Sequence, residues 1–80
     1  DGFSDIQILI DDAETGIVIE VKYAQNGDLE EECQKALTQM RALHYEDGMR
    51  NAGMQKIFKY GIACWKKTCK VVVESEILVG

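Results

Sequence analysis

Proline is absent from this 80-residue sequence, and histidine occurs once. There is no internal repeat and no low-complexity tract, so no part of the chain reads as a biased linker. No apolar run approaches the roughly 20 residues that a membrane span requires. The opening from Asp1 to Asp5 is polar and acidic and does not read as a secretory signal. There is no Cys-x-x-Cys pair. With Cys33, Cys64 and Cys69 and only His44 to join them, the pattern argues against a structural zinc site. Three cysteines in apolar contexts read instead as reduced thiols in a cytoplasmic protein. A cysteine nucleophile would have only His44 as its base, on a helix that packs through other residues.

What is present describes a small globule. The apolar fraction of 46% argues for a folded chain rather than a disordered one. Residues 1–80 are enough for a single domain, which buries about two-thirds of its unfolded surface. The chain opens almost directly into a strand, so it is expected to be the C-terminal piece of a longer protein. The net charge of −5 argues against a general nucleic-acid binder. The charge is uneven, however: residues 1–49 carry 12 acidic and 3 basic side chains, whereas residues 50–80 carry 6 basic and 2 acidic. A basic C-terminal half could meet a polyanion while the acidic half holds cations. Ordinary solvated surface explains the same numbers.

The hydrophobic pattern and the polar chemistry conflict in one place, Ile17 to Lys22. This β-branched run has the character of a buried strand, yet it contains Glu20 and Lys22. Residues two apart in a strand share a face, so these two charges project side by side. A carboxylate and an ammonium are rare in a buried strand unless they are paired or bind something.

Asp5 to Ile10 predicts a preceding strand, with Asp5, Gln7 and Leu9 on one face. Asp11 to Gly16 is a polar turn, and the two strands should form an antiparallel hairpin. If Ile10 faces Ile17, then Asp5 faces Lys22 and Gln7 faces Glu20. Asp5 and Glu20 are then diagonal neighbours on one face, roughly 5–8 Å apart at Cβ. A slip of one residue would separate them onto opposite faces.

Asp28 followed by Glu31 predicts a helix start of the capping-box type. Leu29, Cys33, Ala36, Leu37, Met40, Leu43 and His44 then mark one long amphipathic helix. Its end falls near Gly48 or Gly53. The Glu30–Glu32 cluster lies in the first turn, where carboxylates suit the helix dipole. Gln39 lies on a flank, about 100° from the centre of the apolar stripe. Ile57 to Trp65 predicts a central strand in which Gly61 signals close backbone packing or a bulge. Lys66-Lys67-Thr68 is a turn, Cys69 to Glu74 is a last strand, and Ile77 to Gly80 is a short tail. The order is strand, strand, helix, strand, strand. With a right-handed crossover it gives a small mixed α/β (α+β) sheet with a helix on one face. The other face needs a cover, from sequence outside the chain or from a second copy.

Asp5, Glu20-Val21-Lys22 and Gln39 can therefore converge at one edge of the sheet. Carboxylates are the hard oxygen ligands that Mg²⁺ (or Mn²⁺) prefers, and such an ion polarises a phosphate. Asp5 and Glu20 are the candidate ligands, with the Val21 carbonyl a further one. Lys22 is the candidate positioning cation. The competing reading is an Asp5–Lys22 ion pair on a solvated hairpin.

These residues also carry a resemblance. Gly2-Phe3-Ser4-Asp5, Ile19-Glu20-Val21-Lys22, Ala36-Leu37-Thr38-Gln39-Met40 with Tyr45, and Lys59-Tyr60-Gly61-Ile62-Ala63 together resemble the PD-(D/E)xK nuclease-like superfamily. The nearest likeness is to the nuclease-like domain at the C-terminus of AAA-type ATPases of bacteria and archaea. The resemblance implies a restriction endonuclease-like core, here lacking its first helix and strand, and an N-terminal ATPase domain in the parent protein. It implies a Mg²⁺-dependent nuclease acting on DNA, with RNA as the alternative. Asp5, Glu20, Lys22 and Gln39 are then the catalytic set.

A second function class keeps the fold without the chemistry. Such a module would contact nucleic acid through Lys56, Lys59, Lys66, Lys67 and Lys70, with Tyr45 as a further contact, or would form a homodimer through the uncovered sheet face.

Overall fold

The structure, a computed structural model, describes residues 3–78. Residues 1, 2, 79 and 80, with Gly2 of the first motif and the end of the expected tail, lie outside the described residues. The elements are β1 (Phe3–Ile10), β2 (Thr15–Tyr23), α1 (Leu29–Ala42), α2 (Tyr45–Asn51), β3 (Lys56–Trp65) and β4 (Thr68–Ile77). They form one four-stranded mixed sheet in the order β1-β2-β3-β4. β1 and β2 are antiparallel, β2 and β3 parallel, and β3 and β4 antiparallel. The expected α+β architecture is thus observed.

The first helix follows from local chemistry, and the second is a change from expectation. Asp28 caps α1 by accepting a hydrogen bond from the Glu31 amide at 3.2 Å. The single long helix, however, is two. It breaks at His44, whose φ of 54° is left-handed, and a new seven-residue helix begins at Tyr45. Gly48 lies inside α2, and Gly53, at φ 89°, follows its end.

α1 covers one face of the sheet. Val18 of β2 and Ile57 of β3 join Leu37, Met40, Met49, Met54 and Leu78 in the core. At Gly61 the backbone of α1 comes close to β3. A Cβ there would lie 3.0 Å from the Cys33 carbonyl oxygen and 3.2 Å from the Ala36 Cβ, so the expected close packing is real. Arg41 pairs with Glu74 at 2.5 Å and Lys70 with Glu30 at 3.3 Å, tying α1 to β4.

The second face is open among the described residues. Ile6, Ile8 and Ile10 of β1 and Val71, Val73 and Ile77 of β4 are all exposed there. Between them, Ile17, Ile19, Val21, Phe58, Tyr60 and Ile62 are half-buried, shielded by their neighbours on the sheet. Cys64 and Cys69 face each other across the β3–β4 hairpin and form a disulfide, which replaces the expected free thiols; Cys33 alone remains free, and it is buried.

Candidate active site

The hairpin register differs from the expected one by two residues. Ile8, not Ile10, faces Ile17, and Asp5 stands directly opposite Glu20. The cause is a tighter turn. Glu14 takes a left-handed φ of 50°, its amide bonds the Asp11 carbonyl at 3.0 Å, and pairing resumes at once between Ile10 and Thr15. An even slip leaves every side chain on its expected face. It also shortens the diagonal into a direct cross-strand pair, for which the Cβ separation is about 4.5–5.5 Å.

The two carboxylates differ in environment. Asp5 is exposed on the edge strand β1. Glu20 lies on the inner strand β2, on the face that α1 covers, and is 1% exposed. Burial pushes the Glu20 pKa up; the Lys22 charge pulls it down and the Asp5 charge pushes it up again, and the net shift is upward. One oxygen of Glu20, Oε2, is buried without a hydrogen-bond partner. So is Oε1 of Gln39 on α1. Glu20 and Gln39 line one cleft of about 300 Å³, with Ala42 and Leu43 as its apolar wall. Gln39 and Lys22 also line an adjoining groove of about 380 Å³ along α1.

Tyr45 completes the cluster from the other side. As the first residue of α2 it donates its hydroxyl to Oδ2 of Asp5. Burial, then the bond to Asp5 and the nearby carboxylate charges, push its pKa up to about 12. The phenol therefore stays protonated and acts as a donor at neutral pH.

The structure brings Asp5, Glu20, Lys22, Gln39 and Tyr45 to one region. Lys22 is half-buried, on the same face as Glu20, and its partner in register is Phe3 rather than Asp5. Val21 lies in mid-strand between Ser4 and Ile62, with its side chain on the open face. The lysines expected to meet nucleic acid separate into four groups, of which exposed Lys70 is already paired with Glu30 of α1. Lys66 and Lys67 are exposed in the β3–β4 turn, at the sheet end towards which Lys22 and Tyr23 run. Lys56 is exposed at the opposite end, paired in register with Thr15. Lys59 is not a surface group at all. It is 1% exposed and bonds Glu46 of α2 at 2.5 Å, with Glu76 at 3.6 Å.

Sequence reasoning did not find the Tyr45–Asp5 bond, the Leu43 wall or the burial of Lys59. Only the last had a signal. Lys59 alternates with Ile57, Gly61 and Ala63, the inward face of a strand.

Among the described residues no cluster of three or more His, Cys, Asp or Glu side chains could hold a metal ion. The donors present nonetheless suit one. The two facing carboxylates, one of them with its Oε2 unpartnered, and the unpartnered Oε1 of Gln39 are hard acceptors, and Mg²⁺ is commonly held by one or two carboxylates together with water and substrate oxygens.

Neither the curated proteins nor the solved structures give a match to this chain. A family profile does match, that of the PD-(D/E)XK nuclease superfamily, over residues 1–74. Nucleases of that superfamily generally use divalent metals, in keeping with the oxygen donors around Glu20. On a profile match that spans most of its length, the chain belongs to the PD-(D/E)XK nuclease superfamily.

Proposed function

We propose that the protein is a Mg²⁺-dependent nuclease that hydrolyses phosphodiester bonds of DNA. The observation that carries this reading is the facing Asp5–Glu20 pair, in which Oε2 of Glu20, like Oε1 of Gln39 beside it, is buried without a partner. Asp5 and Glu20 would hold the ion, with the Val21 carbonyl as a further donor. Once bound, it polarises the scissile phosphate. Lys22 orients the attacking water and offsets the negative charge that builds on the phosphate. Gln39, with its unpartnered buried acceptor oxygen, accepts from a donor within the cleft. The apolar wall of Ala42 and Leu43 limits water on the helix side. RNA is the alternative substrate.

The setting we propose is a longer protein that carries an N-terminal ATPase domain. Plasmid cleavage by the intact protein with Mg²⁺ or Mn²⁺ is the test. Cleavage should be lost in Asp5→Ala and in Glu20→Ala. Unchanged activity in both would sink the reading.

The open sheet face favours a second reading, a silent module that binds nucleic acid or pairs with itself. Exposed Ile6, Ile8, Val71 and Val73 supply the apolar surface for pairing, and exposed Lys66 and Lys67 supply positive charge. Salt-sensitive DNA binding without cleavage would select this reading over the first.

A further inference from the structure

Asp5 presents a problem that the two-carboxylate site does not solve by itself. It is exposed on an edge strand, and a free aspartate there samples several rotamers. Holding it in one geometry costs side-chain entropy each time an ion binds. The Tyr45 hydroxyl bonds one of its two oxygens, Oδ2, and leaves the other for a ligand.

Tyr45 is itself well placed to hold. It packs against the core cluster of Val18, Leu37, Met40, Met49, Met54, Ile57 and Leu78. The next residue, Glu46, is fastened to the buried Lys59 on β3 at 2.5 Å. Adjacent residues of α2 thus grip β1 and β3, on either side of the strand that bears Glu20. A helix of seven residues has little stability of its own, so these two attachments and the core contacts set where it lies. The break at His44 turns the chain out of α1 and starts α2 at Tyr45.

We infer that Tyr45 is a positioning residue: its hydroxyl fixes the Asp5 carboxylate for the divalent cation, and the Glu46–Lys59 pair holds α2 in place to do so. The inference rests on the proposed reading of Asp5 and Glu20 as cation ligands. Tyr45 then touches neither ion nor substrate, and its removal should weaken cation binding without unfolding the protein.

The experiment is Mn²⁺ titration of the intact protein by calorimetry, for wild type, Tyr45→Phe, Asp5→Ala, Glu20→Ala and Tyr45→Phe/Asp5→Ala. Loss of a ligand's hydrogen-bond partner typically weakens metal binding by about 10-fold to 100-fold. Tyr45→Phe should do so with its melting temperature nearly unchanged, because the ring still packs. In the Asp5→Ala background the same substitution should change nothing further. Under substrate saturation and excess Mn²⁺, Tyr45→Phe should recover most of the wild-type kcat, a split that general damage to the fold would not give. If Asp5→Ala and Glu20→Ala weaken Mn²⁺ binding but Tyr45→Phe does not, the inference fails and the nuclease reading stands. An equal loss from Tyr45→Phe with and without Asp5 also overturns it. If neither Asp5→Ala nor Glu20→Ala affects Mn²⁺ binding, both fail together.

Discussion

Glu20 faces Asp5 directly across the β1–β2 pair, yet one carboxylate is exposed and the other almost completely buried. That asymmetry has a cost for the fold. Glu20 has a raised pKa, chiefly through burial, so between its unfolded and folded pKa values the native state holds a proton that the unfolded chain has released. Stability then falls as pH rises through that window, which begins near 4.3. Glu20→Gln should abolish this fall. At neutral pH, without divalent cations, it should also raise stability by about 1 kcal/mol, since a buried carboxylate charge with one unpartnered oxygen is gone. Cleavage should be lost at the same time. Urea unfolding of both proteins from pH 4 to 8 checks the first two points. A less stable Glu20→Gln variant would contradict this account.

Most of the fold was legible because its signals are periodic. Alternation marked the strands, Asp28 marked the helix start, and the parallel crossover followed from the element order. The site was legible in its faces but not in its distances. A tight turn closed by Glu14 at a left-handed φ carries no glycine to announce it, so the hairpin register came out two residues off. His44 breaks the helix in the same unannounced way, and with that break Tyr45 gains its reach to Asp5. Lys59 reads as a surface residue because lysines usually are. Cys64 and Cys69 flank the Lys66-Lys67 turn symmetrically, and the hairpin register brings them together, which three cysteines in apolar contexts do not announce.

Lys59 should prove structural when removed. Lys59→Ala leaves the half-buried Glu46 without its cation; breaking a fully buried pair typically costs about 3–5 kcal/mol, and because water reaches Glu46 the loss here should be at or below about 3 kcal/mol. Lys59→Met combined with Glu46→Gln keeps the packing and strands no charge, so it should cost much less. Acid titration offers an independent check. Burial raises the Glu46 pKa, but the Lys59 hydrogen bond and charge outweigh it and leave Glu46 below its ordinary value. Its contribution is therefore present above the unfolded pKa, near 4.3, and is lost as pH falls through the folded value. Glu46→Gln should flatten this acid-side loss. Chemical denaturation at pH 3 to 6 would show it, and equal destabilisation by the single and double variants would refute the pairing.

Lys66 and Lys67 stand in the β3–β4 turn at the Lys22 end of the sheet, exposed to solvent. If both neutralise phosphates, replacing both with Gln should lower the slope of log Kobs against log salt by about 2 for duplex DNA. Lys56 lies at the far end of the same sheet, and Lys56→Gln should leave the slope unchanged. Fluorescence anisotropy across a salt series distinguishes the positions. A larger change from Lys56→Gln than from the pair would place the nucleic acid elsewhere.

The open face of the sheet makes the last prediction. Ile6, Ile8, Ile10, Val71, Val73 and Ile77 are 40–57% exposed, and they flank a band of half-buried apolar side chains on β2 and β3. The largest apolar patch on an ordinary monomer is about 300–600 Å², and a surface that spans four strands invites burial against another. The 80-residue chain on its own should therefore associate at micromolar concentration. Ile8→Lys with Val73→Lys places two like charges on the patch while touching neither the core nor the Asp5–Glu20 pair. Both residues are already exposed, so the fold should lose no more than about 1 kcal/mol, near the range of ordinary surface substitutions. Sedimentation velocity should then show association in the parent chain and a monomer in the variant. A parent chain that stays monomeric at high concentration would mean that the face does not drive self-association.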